Sequence, residues 1–471
     1  MSANQPDPPA PGFLQAQRRR LLPLFLGLIG LIFLAVVVSI LTKRGVDLIL
    51  PLFGLSVLLL IGLITLRAGS FNWLRGAVIP LLAVTTALII GAFLIAFTDR
   101  AVLQALGNFF DDPGGALRLA WNAVATAYSS MFEGAIGSPT RIADGLEEWI
   151  MSGEARAFRS AMRPIAESLT RSIPYVLTGL AVALGFRAGL FNIGAEGQFL
   201  IGGLCAVVVG FSVTGLPAYI HLPLAILAGA AGGAVWGGIV GALKAWTGAH
   251  EVINTIMMNW IAFRLVEWLL RGPLEATQGT RRTAEILDTA KLPRFFEPPI
   301  RLHAGLFIAI AAALFVWWFL WKTTWGFEMR TVGANPNAAR YSGMNIGRNV
   351  ILAMALSGTL AGLAGVSEAL GLTHNMTLGF QAGYGFDSIA LALLGNSHPG
   401  GVVLASLLFG VLRSGGTRMM SVAGVPLEIT SIIQAMVIIF IAAPAIVRSL
   451  YRLDIRRDEM EPATITRGWG S

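Results

Sequence analysis

Charge and cysteine are both scarce in this sequence. Only 13% of its 471 residues are Asp, Glu, Lys or Arg, about half the share of an ordinary soluble protein. A cytosolic globular fold is thereby excluded. The single cysteine, Cys205, lies inside the apolar run 199–213, so neither an internal disulfide nor a cysteine metal cluster can form. The five histidines, His221, His250, His303, His374 and His398, stand far apart without the i, i+4 pairing of a metal-binding helix. No Gly-rich phosphate loop ending in Lys-Ser or Lys-Thr occurs, and no Gly-x-Ser-x-Gly elbow, so nucleotide hydrolysis and serine-based acyl transfer lack their residues. No span carries a train of arginines or a repeated filter sequence, which removes voltage sensors and selective pores. Catalytic, cofactor-binding and metal residues are expected to be absent, and the chain is not expected to be an enzyme. The net charge of +8 is no sign of nucleic acid, because Lys and Arg sit at the ends of apolar spans, where membrane orientation requires them.

What the sequence has in abundance is apolar length, with 55% hydrophobic residues and a mean hydropathy of +0.70. Spanning runs are expected at 21–41, 49–66, 77–97, 198–214, 222–246, 253–270, 303–322, 349–372 and 428–447, and a shorter one at 172–187 makes ten. Each must be helical, since lipid offers no partner to backbone groups and no alternating barrel pattern is visible. The fold class is therefore all-α: a polytopic membrane protein of about ten transmembrane helices plus a re-entrant helix pair. Arg18, Arg19 and Arg20 ahead of 21–41 imitate a signal peptide, but the run is too long and no small-residue cleavage site ends it, so a retained anchor is expected.

Basic residues set the orientation. Arg18 to Arg20, Arg67 with Arg75, the loop with Lys322, Arg330, Arg340 and Arg348 against Glu328, and a tail with Arg448, Arg452, Arg456 and Arg457 fall on one side, which should be the cytoplasm. Both termini are then cytoplasmic. One loop disagrees, since residues 271–302 hold six basic and four acidic side chains and would lie outside. Residues 98–171, with nine acids and seven arginines, also face outward and contain an amphipathic run at 116–131 and a charged helical segment at 144–162. They either pack on the outer surface or form a platform for an external partner. The resulting divisions are 1–100, extra N-terminal helices; 101–171, the outward loop; 172–447, the core; and 448–471, the tail.

Two segments interrupt the apolar pattern. Residues 187–198, RAGLFNIGAEGQ, place Asn192, Glu196 and Gln198 among Gly189, Gly194 and Gly197. In GYGFDSIALALLGNSHPGG, residues 383–401, the apolar piece 388–394 is too short to cross and is followed by Gly395 and Pro399, which predicts a helix that turns back against a partner half at 402–412. Unwound backbone at membrane depth is tolerated only where protein or a water-filled cavity surrounds it. Three acids matter here because intramembrane charge is costly. Glu196 serves a pathway or pairs with Arg187; Asp387 serves a pathway or N-caps the short helix; Glu368, followed by His374 and Asn375, faces a pathway or the outer interface.

The loop 323–349 contains a helix signal: Asn335 as N-cap, Pro336 at the first position, then Asn337, Ala338, Ala339, Arg340 and Tyr341, with Gly343 ending the turn. Such a helix either reverses the chain or fits a groove on a cytoplasmic partner.

Four motifs in order, at 179–203 (GLAVALGFRAGLFNIGAEGQFLIGG), 248–262 (GAHEVINTIMMNWIA), 332–348 (VGANPNAARYSGMNIGR) and 385–401 (GFDSIALALLGNSHPGG), make the chain resemble the permease subunits of bacterial ABC importers for nucleosides and simple sugars, in the branched-chain amino acid and ribose permease superfamily. The resemblance covers about residues 174–447. It implies an inner-membrane importer with an ATP-binding subunit, tandem in form, an external substrate-binding lipoprotein, and a second, shorter permease. ATP and magnesium would sit on the ATP-binding subunit and none on this chain. Asn335 to Tyr341 with Gly343 would be the coupling helix, and His250, Glu251, Asn254 and Thr255 a second cytoplasmic contact. Asn192, Gly194, Glu196, Gln198, Asp387 and Asn396 would line the translocation pathway. Three spans in 1–100, where about one is usual, and the added segment 137–169 depart from the family pattern. The cargo is expected to be a nucleoside, with a simple sugar as the near alternative and a proton-coupled secondary carrier as the distant one.

Overall fold

A computed structural model describes residues 72–451. The spans expected at 21–41 and 49–66, their arginines and the tail beyond Tyr451 lie outside those residues. Among the described residues the secondary structure is helical, with two isolated bridges, Arg282 to Thr377 and Arg294 to His303, and no strand. Seven helices among the described residues are long and apolar enough to cross a membrane. The N-terminal part comprises α1 (Asn72–Thr98), α2 (Arg100–Gly107), α3 (Pro113–Ile136) and α4 (Pro139–Ser152). The rest runs through α5 (Arg156–Arg187), α6 (Ala195–Ser212), α7 (Ala218–Thr247), α8 (Glu251–Leu270), α9 (Gly305–Lys322), α10 (Thr324–Ala334), α11 (Pro336–Tyr341) and α12 (Ile346–Glu368), which continues into a π turn, Ala369–Thr373. After it come α13 (Tyr384–Leu394), α14 (Pro399–Ala423), α15 (Leu427–Ala442) and α16 (Pro444–Leu450).

Four expectations change. The charged segment 144–162 is divided between α4 and α5, and α5 runs unbroken for 32 residues through the boundary drawn at 171. The run 253–270 is a helix, but Asn254, Asn259, Arg264 and Glu267 make α8 too polar to count among the seven; Arg264 and Arg271 pair with Glu267 at 2.7 and 2.6 Å. The run 428–447 is cut into α15 and α16, since a proline at 444 supplies no backbone N–H to continue the preceding helix. The supposed re-entrant partner at 402–412 is only the middle of α14, which has 25 residues and is one of the seven. Segment 374–383 and α13 therefore form a two-piece traverse, followed by a return along α14.

The bundle has two distinct ends. At one, the long loop 271–304 ties the tips of α6, α7 and α12 together: Leu287 N–H donates to Gly210 O at 2.9 Å, His221 is hydrogen-bonded to Thr289 at 2.7 Å, and Leu292 N–H donates to Leu370 O at 2.9 Å. At the other end lie the C-terminus of α5, the start of α8, α10, α11 and the α13–α14 turn. Between them α7 and α12 touch backbone to backbone, because Gly233 faces Gly358 so closely that a Cβ on Gly358 would fall 2.1 Å from the Gly233 carbonyl oxygen. Small residues permit this approach where lipid supplies no hydrophobic drive for helix association.

The long loop also carries a pH-sensitive fastening. His303 is 1% exposed, and its Nδ1 accepts the Gly305 N–H at 3.1 Å. Burial, with the charges of Arg294 and His374 nearby, lowers its pKa from 6.5 to about 4. The unfolded chain then binds this proton first as pH falls, so the stability due to the neutral ring is complete above pH 6.5 and drains away between 6.5 and 4, a loss of about 3 kcal/mol. The thermal midpoint in detergent should fall more steeply across that window for the native chain than for His303→Asn; equal slopes would refute the assignment.

Candidate functional site

The broken segments meet in the middle of the bundle. Glu196 lies in the first turn of α6, about 24 Å along the helix from its far end at the long loop. Chain geometry brings a second helix N-terminus to the same point: Gly383, at φ +81°, turns the extended segment into α13 and has no side chain with which to cap it. Glu196 supplies the cap. Its two carboxylate oxygens accept the N–H of Gly383 at 2.9 Å and of Gly385 at 2.6 Å, and the residue is 1% exposed. Two positive helix ends thus share one negative charge, which offsets the cost of burying it. Gly385 has no room for a side chain, since a Cβ there would lie 2.2 Å from the Glu196 nitrogen.

Around this junction the polar residues of 187–198 satisfy one another. Asn192 donates to Gln198 at 2.9 Å and to Ser357 at 2.8 Å, while its carbonyl takes the Gly194 N–H at 2.9 Å. Asn259 of α8 accepts from Gly197 and donates to Ile193 O. Asn192, Gln198 and Asn259 are all buried, so they hold the bend rigid.

The alternatives left open for the acids now resolve. Glu196 does not pair with Arg187, which lies at the end of α5 and donates to the carbonyls of Ser397 and Asn396, both at 3.0 Å. Asp387 is not the N-cap of α13; one turn in, it accepts from the Tyr175 hydroxyl at 2.9 Å and has Arg413 at 3.7 Å. Arg413 donates to the Tyr175 hydroxyl at 2.8 Å and to Ala382 O at 3.0 Å, with its guanidinium 5.1 Å from the Tyr384 ring. Asp387 and Arg413 each keep about a third of their side-chain surface exposed, at 32%. Glu368 ends α12 beside the same group, with Arg171, Arg413 and Arg301 in electrostatic range, and its buried Oε2 has no hydrogen-bond partner among the described residues.

Of the six residues expected to line a path, the structure groups Asn192, Gly194, Glu196 and Gln198, sets Asp387 nearby, and puts Asn396 on the exposed turn at the other end of α13. Sequence reasoning missed Arg413, Tyr175 and Tyr384. The expected partner half ends at Leu412, one residue short of Arg413, although an arginine within an apolar helix is itself the signal. At the opposite end α11 forms as its residues dictate: Asn335 Oδ1 accepts the Ala338 N–H at 3.1 Å, Pro336 opens the helix and Gly343 follows at φ +79°. Ala339 is buried; Asn337, Ala338 and Arg340 are exposed, and Tyr341 is 95% exposed. In the second group, Thr255 is buried beneath Gly194 and Glu251 is held by Lys244 at 2.5 Å, which leaves His250 as the exposed member; the Asn254 amide nitrogen is buried with no partner among the described residues.

Residues 165–442, from within α5 to the end of α15, match the family described as branched-chain amino acid transport system, permease component. The chain belongs to this permease family. It is 45% identical to the guanosine ABC transporter permease protein NupP of Bacillus subtilis over 60% of this chain and 82% of that one. It is 38% identical to the glucose ABC transporter permease protein TsgB13 of Haloferax volcanii, over 64% and 83% of the two chains. With the nucleoside ABC transporter permease protein NupB of Lactococcus lactis it shares 35% identity over 60% and 80%. No solved structure matches the chain. This permease is a multi-pass membrane protein, and as an ABC permease subunit it works with ATP-binding and substrate-binding partners. The match begins within α5, so α1 to α4 lie outside it.

Proposed function

We propose that this permease imports nucleosides through a path beside the Glu196 junction, with α11 as its coupling helix. The observation that carries the reading is the meeting of two helix N-termini on one buried carboxylate inside the bundle, next to the partly open Asp387–Tyr175–Arg413 group. A broken helix gives a transporter polar backbone at the membrane centre and a place to bend. A nucleoside is neutral and rich in hydroxyls; paired charges at the site present donors and acceptors without a net charge to hold it fast. The 45% identity to a guanosine permease favours this cargo, and the 38% identity to a glucose permease supports a sugar as the second reading.

In this reading the α10–α11 end, with Lys322, Arg330, Arg340 and Arg348, faces the cytoplasm of a bacterial inner membrane, as do both termini. An ATP-binding subunit, tandem in form, grips the exposed side of α11, with His250 of the α7–α8 corner as a second contact, and ATP and magnesium stay on that subunit. A second, shorter permease completes the pair, and an external lipoprotein delivers the solute to the long-loop end. Uptake of radiolabelled guanosine, uridine, ribose and glucose by cells carrying the assembled transporter tests the cargo. Ala338→Glu places a charge on the outer face of α11 while leaving buried Ala339 alone. It should keep the complex inserted and cut ATP-driven uptake by at least about tenfold, the equivalent of 1.4 kcal/mol; unchanged uptake would refute the coupling role.

A further inference from the structure

At the α11 end of the bundle four elements build a basic, aromatic notch that the transport path does not use. Arg187, from the end of α5, and Arg330, from α10, stand against the same Trp321 indole, with guanidinium carbons 5.6 and 5.8 Å from the ring centroid. The His398 ring lies 5.2 Å from that indole, brought there by the α13–α14 turn. Two like charges beside one ring repel each other, and among the described residues neither arginine has a carboxylate partner. The nearby acid Glu328 is engaged by the Asn349 amide at 3.0 Å. Arg187 commits Nε and Nη2 to the carbonyls of Ser397 and Asn396, and the Nε of Arg330 is buried with no partner among the described residues. Unused guanidinium donors in a fixed pair are the complement of a phosphate.

The surroundings say where that phosphate resides. Trp317, Trp318 and Trp325 flank the notch on α9 and α10, between 43% and 51% exposed, with Lys322 5.8 Å from the Trp317 ring and Arg348 4.7 Å from the Trp325 ring. Exposed tryptophans interleaved with Lys and Arg at the end of an apolar helix mark the headgroup level of a bilayer. Basic pockets between helices at that level take anionic lipid headgroups.

We propose that Arg187, Arg330, Trp321 and His398 form a binding site for the phosphate of an anionic phospholipid. Because Arg187 also holds the α13–α14 turn, a bound lipid braces the lower end of the broken helix and keeps the two arginines together.

The test uses the assembled transporter purified in mild detergent, washed, and analysed for retained phospholipid by mass spectrometry, then titrated in nanodiscs with phosphatidylglycerol against a phosphatidylcholine background. Native protein should keep anionic lipid through the wash and be stabilised as phosphatidylglycerol is added. Arg330→Gln should weaken that stabilisation at least tenfold, and Arg330→Lys, which keeps the charge but loses the fork, should fall between. Retention by Arg330→Gln equal to native overturns the proposal. So does equal stabilisation by inorganic phosphate alone, which would make the notch a small-anion site. A defect of Arg330→Gln confined to assembly with the ATP-binding subunit, with lipid retention intact, also overturns it, because the notch would then belong to a protein contact. Trp321→Phe, which keeps an aromatic face, should retain lipid and controls for a variant that fails to fold.

Discussion

Replacing Glu196 with alanine is expected to lower the thermal midpoint of the purified complex and to reduce uptake to under about a tenth of the native rate. The carboxylate accepts two backbone N–H groups at the start of α13, and each hydrogen bond to a charged group contributes about 1.5–3 kcal/mol. Removing it strands both donors in a bundle where Glu196 is 1% exposed, so water cannot replace them without opening the junction. The expected loss of stability is roughly 3 kcal/mol or more. Glu196→Gln keeps one oxygen of the right shape and loses the charge that the two helix ends share, so its midpoint and uptake should lie between native and alanine. Differential scanning fluorimetry and vesicle uptake at matched expression check the order. Alanine indistinguishable from native would mean that α13 needs no cap from α6.

The second large effect belongs to Arg413. Arg413→Gln leaves Asp387 facing Tyr175 without its counter-charge, and Asp387→Asn leaves Arg413 in the same position. Each single variant should cut uptake by about tenfold or more, whereas the double variant, which removes both charges, should be clearly milder than the product of the two. The coupling should be about 1–2 kcal/mol, kept modest because both side chains are about a third exposed and solvent screens them. Initial rates across the four-member cycle measure it. A double variant whose loss equals the product of the singles would show that the two charges act independently. Tyr175→Phe removes the hydroxyl that both groups contact and should reproduce part of the coupling loss.

The apolar runs, the capped α11 and the two broken segments were legible in the sequence because each depends on neighbours along the chain. Asn335, Pro336 and Gly343 announce a short helix within nine residues, and that helix forms with Asn335 as its cap. The acids were a different matter. From sequence distance alone Glu196 sits near Arg187 and Asp387 sits at a helix start, and both inferences failed for one reason: a buried carboxylate bonds to whatever donors the packing presents. Here the packing gave the cap of α13 to Glu196, 187 residues away from Gly383, and gave Asp387 to Tyr175, 212 residues away. The re-entrant pair failed in a similar way, since glycines and Arg413 lowered the apparent apolar length of α14 while its neighbours α3 and α5 covered them: Gly410 lies against Ser172, and Gly415 against Met131.

Composition and periodicity by themselves determined that this is an all-helical membrane protein and placed the breaks in its helices, because the solvent is lipid and every exposed backbone group must be satisfied within its own segment. Only the tertiary structure decided which charge answers which donor. Those bonds are made between segments far apart in the chain, and for a buried group the choice of partner is set by which helix ends the packing brings together.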